Sequence, residues 1–216
     1  MIKFMQALVK TTAWPVQFLC FRTKILYENG DKNHRKIKGA AIVASNHTSI
    51  WDYAAIIFVF PFRILRYLMA EILFERNGLL GWFLRSMGGV KIDRNHYDFS
   101  FVVKCEEILE KGGVIGVFPE GRLPEKAEET PLPFKPSMAY IALKSGAPIV
   151  PVYVSGSYFK RKRNYVVIGE KMRVEDLVDE NLSERENIEK ISAAVRAKIV
   201  ELGDEFERKQ QEKNKK

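Results

Sequence analysis

Short apolar runs alternate along the chain with longer stretches in which apolar positions recur every three or four residues. Residues 40–45 form an apolar run of strand length that leads straight into Asn46 and His47, and a helical stretch follows to about residue 60. Residues 64–69, 89–92, 114–118, 149–154 and 165–168 read as further strands. Helical patterns cover 71–86, 98–111 (stopped by Gly112-Gly113) and 137–145 (stopped by Gly146). The final helix has the fullest local signature. Ser183 and Glu186 form a capping-box pair, and Ile188, Ile191, Val195, Ile199, Leu202 and Phe206 make one apolar stripe behind it. Strands alternating with helices predict an α/β fold: a single domain with a mixed, largely parallel sheet flanked by helices.

Two regions fall outside this alternation. Residues 122–136 carry Pro124, Pro131, Pro133 and Pro136 with several Glu, which excludes regular structure and marks a long, functional type of loop. The first 39 residues place Phe4, Leu8, Trp14, Phe18 and Phe21 among Lys3 and Lys10, with Pro15 between them. That mixture suits a segment lying in a lipid headgroup layer, and equally an ordinary helix packed on the domain. Neither this segment nor the ten-residue apolar run at 53–62 reaches the roughly 18 apolar residues that a bilayer span needs. No small-residue cleavage site follows the N-terminus, so no signal peptide is expected. The predicted organisation is a membrane-associating segment at 1–39, a domain at 40–207 and a basic, disordered tail at 208–216.

The composition sharpens this division. The 216 residues carry a net charge of +8, yet residues 41–156 are neutral. The excess lies in residues 1–40 (net +6), in Lys160 to Arg163 and in the tail, while residues 166–207 are net −6. Such an excess attracts polyanions, anionic lipid or nucleic acid. The neutral body and the lack of a nucleic-acid motif speak against a basic nucleic-acid-binding protein. Two cysteines, Cys20 and Cys105, form no disulfide framework and have no metal-site spacing, which fits a reducing compartment.

Four segments could carry chemistry, each at a predicted strand end, where ligands of α/β sheets bind. In the first, His47 and Asp52 stand five apart across a strand-to-helix turn. If the first helical turn brings the carboxylate back, it accepts the Nδ1–H and leaves Nε2 free as a general base. On spacing alone, the commoner arrangement is Asp52 as a helix cap beside a locally bonded His47. The second is Phe118-Pro119-Glu120-Gly121-Arg122, whose charged residues could touch a ligand or form a surface ion pair. The third, Lys91 to Arg94, offers cations to an anion. The fourth, Ile149-Val150-Pro151-Val152, reads as core. Zinc spacing, a serine-nucleophile elbow and the glycine loops of nucleotide binders are missing from the sequence.

In this order the four segments resemble the glycerolipid acyltransferase family, whose best-known members are the 1-acylglycerol-3-phosphate acyltransferases. Asn46-His47 with Asp52 matches that family's N-H-x4-D motif, and Phe118-Pro119-Glu120-Gly121 its F-P-E-G block. Lys91 to Arg94 and Ile149 to Val152 resemble its second and fourth blocks, and Phe134-Lys135 the segment after the third. The resemblance spans about residues 40–157. Many members place Thr before the Arg of the third block; here Arg122 follows Gly121 directly, which leaves the acceptor open.

The resemblance implies a glycerol-3-phosphate acyltransferase-like fold, with His47 and Asp52 catalytic and no metal or cofactor. Asn46, Lys91, Arg94, Glu120, Gly121, Arg122 and Lys135 would bind substrate. The donor would be acyl-CoA or acyl-carrier protein, and the acceptor 1-acylglycerol-3-phosphate, glycerol-3-phosphate or another lysophospholipid. The expected setting is an anionic membrane surface, on the cytoplasmic face, held peripherally or monotopically.

Overall fold

The computed structural model describes residues 1–92, 100–125, 128, 130–159 and 163–215. The chain begins with α1 (Ile2–Thr12) and the single turn α2 (Trp14–Val16). A π-helical turn (Gln17–Phe21) follows and ends at Arg22 in the left-handed region. Then come β1 (Lys24–Tyr27), β2 (Ala41–Ser45), α3 (Asp52–Val59), β3 (Leu65–Ala70), α4 (Ile72–Glu75), α5 (Gly78–Ser86) and β4 (Val90–Ile92). The second half holds α6 (Ser100–Glu110), β5 (Val114–Val117), α7 (Ser137–Ser145), β6 (Ile149–Val154), β7 (Tyr165–Ile168) and α8 (Glu184–Asn214).

The seven strands form one sheet in the order β1-β7-β6-β2-β5-β3-β4, parallel throughout except for β6 against β7. β2 lies between β5 and β6, and all five of its residues are buried, as a strand covered on both faces requires. Its side chains alternate between two cores. Ala41 and Val43 join Ile56, Phe60 and Tyr67 on one face, while Ile42 and Ala44 join Cys105, Met138, Ile191 and Val195 on the other. Because Ala44 pairs with Val117 and Ser45 with Val152, the C-terminal ends of β2, β5 and β6 lie side by side. The loops that leave those ends carry the chemistry.

Three expectations need correction. The domain begins before residue 40, because β1 pairs in parallel with β7 and closes one edge of the sheet. The helix expected over 71–86 is two helices: Asn77 caps a new start, its Oδ1 accepting from the backbone N–H of Leu79 and Leu80. The tail at 208–216 is helical as far as Asn214. After Gly203 that segment contains no breaker, consists mostly of Glu, Arg, Lys and Gln, and pairs Lys209 with Glu205 one turn away.

The N-terminal segment is packed on the domain through polar contacts and the buried Phe21, and keeps several other large apolar side chains outside. Gln6 is buried, and its Nε2 donates to the carbonyls of Leu65 and Met87 at 2.8 and 2.7 Å. Lys10 Nζ reaches the carbonyls of Phe60, Pro61 and Arg63 past the end of α3, and burial lowers its amine to about 8. Phe4, Trp14, Phe18 and Leu19 stay exposed. Among the described residues, no helix is long and apolar enough to cross a membrane. Gln6→Leu, which leaves two buried carbonyls without donors, is expected to cost about 1–3 kcal/mol. Thermal unfolding of the variant should show a midpoint lowered by several degrees.

Candidate functional site

Asp52 opens α3 in the first turn after β2 and is completely buried. The turn folds its carboxylate back over residues 47–49, where it collects five donors. His47 Nδ1 lies 2.9 Å from Oδ2, the backbone N–H of Thr48 and Ser49 reach the same oxygen at 2.6 and 2.8 Å, and Oδ1 accepts from Thr48 Oγ1 at 3.0 Å. The fifth donor is the Tyr158 hydroxyl, 2.7 Å from Oδ1. Asp52 is therefore the partner of His47 and the centre of the turn, and not a helix cap: α3 starts from Trp51 with no side-chain cap, and the carboxylate accepts from residues ahead of the helix. With the carboxylate accepting at Nδ1, the imidazole proton sits there and Nε2 carries the lone pair. Phe118 stacks on the His47 ring at 4.1 Å and 12° and fixes its plane. Gly156, at φ 70°, passes so close that a Cβ there would lie 2.3 Å from Thr48 Oγ1, so the loop after β6 can close on this turn only as glycine.

Glu120 follows β5 and is also buried. Its Oε1 accepts from the backbone N–H of His47 at 2.7 Å, and its Oε2 from that of Leu132 at 2.8 Å. One carboxylate thus ties the histidine's own backbone to the far end of the proline-rich loop. Burial raises its pKa, against the lowering effect of those two amide bonds. The loop is anchored twice more. Lys135 N–H donates to Pro119 O, and Arg196 of α8 donates to the carbonyls of Pro131 and Leu132.

The other residues expected to bind substrate separate into groups. Asn46 is a correction: its Nδ2 donates to Val154 O, its Oδ1 accepts from Val154 N–H, and only 2% of it is exposed. It locks the end of β2 to the end of β6 and holds His47 in place from the preceding position. Lys91 is tied to Glu71 and Glu75 on the surface. Arg122 makes a two-pronged pair with Glu128 at 2.7 and 2.5 Å. The carboxylates already offset both charges, so neither is the open cation that the sequence suggests. Gly121, at φ 73°, lies under the Lys135 side chain, and both line a pocket of about 240 Å³ with Phe118, Leu68 and Phe101. Arg94 lies outside the described residues.

The sequence model of the Acyltransferase family matches residues 24–155, which include the dyad, Glu120 and the Asn46 clamp. The chain belongs to that family. It is 26% identical over 167 residues to the 1-acyl-sn-glycerol-3-phosphate acyltransferase of Bacillus subtilis (strain 168), covering 74% of this chain and 80% of that protein. It is likewise 26% identical over 161 residues to the human 1-acyl-sn-glycerol-3-phosphate acyltransferase beta, covering 72% of this chain and 56% of that longer protein. Among solved structures, the 1-acyl-sn-glycerophosphate acyltransferase PlsC from Thermotoga maritima shares the fold. The TM-score is 0.65 at 22% identity, over 94% of this chain and 79% of that one.

Tyr158 of this acyltransferase was not legible beforehand, because nothing in its neighbourhood signals a partner 106 positions away. Its hydroxyl is buried, and burial together with Asp52 holds its pKa far above the usual phenol range, so it stays a proton donor to the carboxylate. The edge of its ring meets Phe21 of the N-terminal π-turn at 5.1 Å. Tyr158→Phe removes one of five donors while keeping the ring. A hydrogen bond to a charged group contributes about 1.5–3 kcal/mol, so kcat should fall roughly tenfold or more with KM little changed. Steady-state kinetics beside thermal unfolding check this; unchanged kcat would show the bond to be merely structural.

Proposed function

We propose that the protein transfers a fatty acyl group from acyl-CoA or acyl-carrier protein to the free hydroxyl of 1-acylglycerol-3-phosphate, giving phosphatidic acid in phospholipid biosynthesis. The observation that carries this reading is the buried Asp52 carboxylate fixing His47 through Nδ1, within a chain whose family and curated relatives are acyltransferases. His47 Nε2 takes the proton from the acceptor hydroxyl as its oxygen attacks the thioester carbonyl. The new C–O bond forms, the C–S bond breaks, and the imidazolium returns the proton to the departing thiolate. Asp52 stabilises the imidazolium in between and is never itself protonated.

Lys135 makes no ion pair among the described residues and stands at the rim of the pocket beside Phe118, which suits the acceptor phosphate better than the paired Lys91 and Arg122. Arg94 is a second candidate from sequence alone. The exposed Phe4, Trp14, Phe18 and Leu19 beside Lys3 and Lys10 support a place on an anionic membrane surface, on the cytoplasmic face. The deciding experiment offers purified enzyme each donor against 1-acylglycerol-3-phosphate, glycerol-3-phosphate and lysophosphatidylcholine. Preference for the first acceptor supports the proposal; turnover with only one of the others replaces the acceptor.

A further inference from the structure

A second cavity, of about 570 Å³, lies between the N-terminal segment and the domain and contains neither member of the catalytic dyad. Among the described residues its wall includes Lys10, Arg35 and Arg163, and no carboxylate. Two of these cations are held by the end of α3: Arg35 Nε donates to Val59 O, and Lys10 reaches the carbonyls of Phe60, Pro61 and Arg63. The negative end of the helix fixes their positions, yet a helix terminus is worth only about half a charge. Arg163 adds to the excess from the opposite, β1–β7 side. Like charges gathered round a concave surface, with no acid among its described lining residues, repel one another and favour an anionic occupant.

The rest of the wall narrows the occupant's chemistry. Gln17 lines the cavity, and its Oε1 is buried with no hydrogen-bond partner, an acceptor waiting for a hydroxyl or N–H. Trp14 and Phe18, stacked at 5.6 Å, line it too, and both are largely exposed. Anion, hydroxyl donor and apolar body in one molecule describe a glycerophospholipid with a charged headgroup. Guanidinium groups match phosphate oxygens, and the volume is that of an ordinary ligand site.

We propose that this cavity is a second, non-catalytic site that holds the phosphate of an anionic glycerophospholipid beneath the N-terminal helices. It goes beyond acyl transfer and stands whatever the acyl acceptor proves to be.

The test uses the full chain and dihexanoyl phosphatidylglycerol below its micelle concentration, titrated by calorimetry. Dihexanoyl phosphatidylcholine and inorganic phosphate are the comparison arms. The double variant Arg35→Gln/Arg163→Gln should bind the anionic lipid at least tenfold more weakly than the unaltered chain. Lys213→Gln/Lys215→Gln, which removes the same charge from the end of α8, should bind it unchanged. The zwitterionic lipid should bind at least tenfold more weakly to the unaltered chain. If loss of the Val59 contact lowers the melting temperature, Arg163→Gln alone, at an exposed position, carries the comparison. Equal losses in the two double variants would mean attraction by net charge without a site. Phosphate binding as tightly as the lipid would make the ligand a free anion. Either result, or no saturable binding, overturns the proposal.

Discussion

His47→Ala is expected to leave a folded protein with no measurable acyl transfer. The imidazole is half-buried and stacked on Phe118, but its backbone N–H, not its side chain, receives the Glu120 bond, so that tie survives the substitution. What is lost is the base that Asp52 orients. General-base catalysis contributes about 100- to 10,000-fold, and the variant should fall at least that far. Asp52→Asn should also be severe, for two reasons that can be told apart. An amide placed there offers its NH2 to some of the five donors that now meet carboxylate oxygens, so stability should drop as well as turnover. Thermal unfolding of both variants beside single-turnover assays checks the difference. The His variant should melt near the unaltered protein and the Asp variant clearly below it. Near-normal turnover by His47→Ala would sink the general-base mechanism.

The dyad was legible because its two members are local. A strand, a six-residue turn-and-helix start and one carboxylate suffice to bring them together, and the spacing is printed in the sequence. The sheet was legible for a similar reason, since buried parallel strands such as β2 and β6 read as unbroken apolar runs. The ties that position the dyad were not. Asn46 meets Val154 across 108 positions, Glu120 meets His47 across 73, and Tyr158 meets Asp52 across 106. Each depends on which strand ends adjoin in the folded sheet, information that no local spacing holds. A motif residue can therefore be recognised while the ties it makes within the fold are not. Asn46 and Glu120 sit in the matching blocks and look like substrate ligands, yet their polar atoms bond backbone within the protein. β1 escaped because its apolar run, Ile25 to Tyr27, is too short to stand out and its partner β7 lies far along the chain. The tail of α8 was misjudged because dense charge was taken for disorder, although these residues favour helix and Lys209 pairs with Glu205 one turn back.

Glu120 offers the sharpest separation between positioning and binding. Two backbone amides, His47 and Leu132, need the two oxygens of its carboxylate. Glu120→Gln supplies one acceptor and one donor group, so one buried amide loses its partner at a cost of about 1–3 kcal/mol. If that cost falls on the His47 turn, kcat should drop about 10- to 100-fold while KM for the acceptor hardly changes. If the carboxylate instead grips the glycerol backbone of the acceptor, KM should rise with kcat nearly kept. The same substitution has a signature in stability. Burial raises the Glu120 pKa above its ordinary value of 4.5, so between that value and the raised one the native state holds more protons than the unfolded chain. Stability contributed at this position therefore falls as pH rises through that window. The glutamine variant, which cannot titrate, should lack this fall, and its melting temperature should depend less steeply on pH above 4.5 than that of the unaltered protein. A raised KM with unchanged kcat, together with an unaltered pH slope, would return Glu120 to the role of substrate ligand.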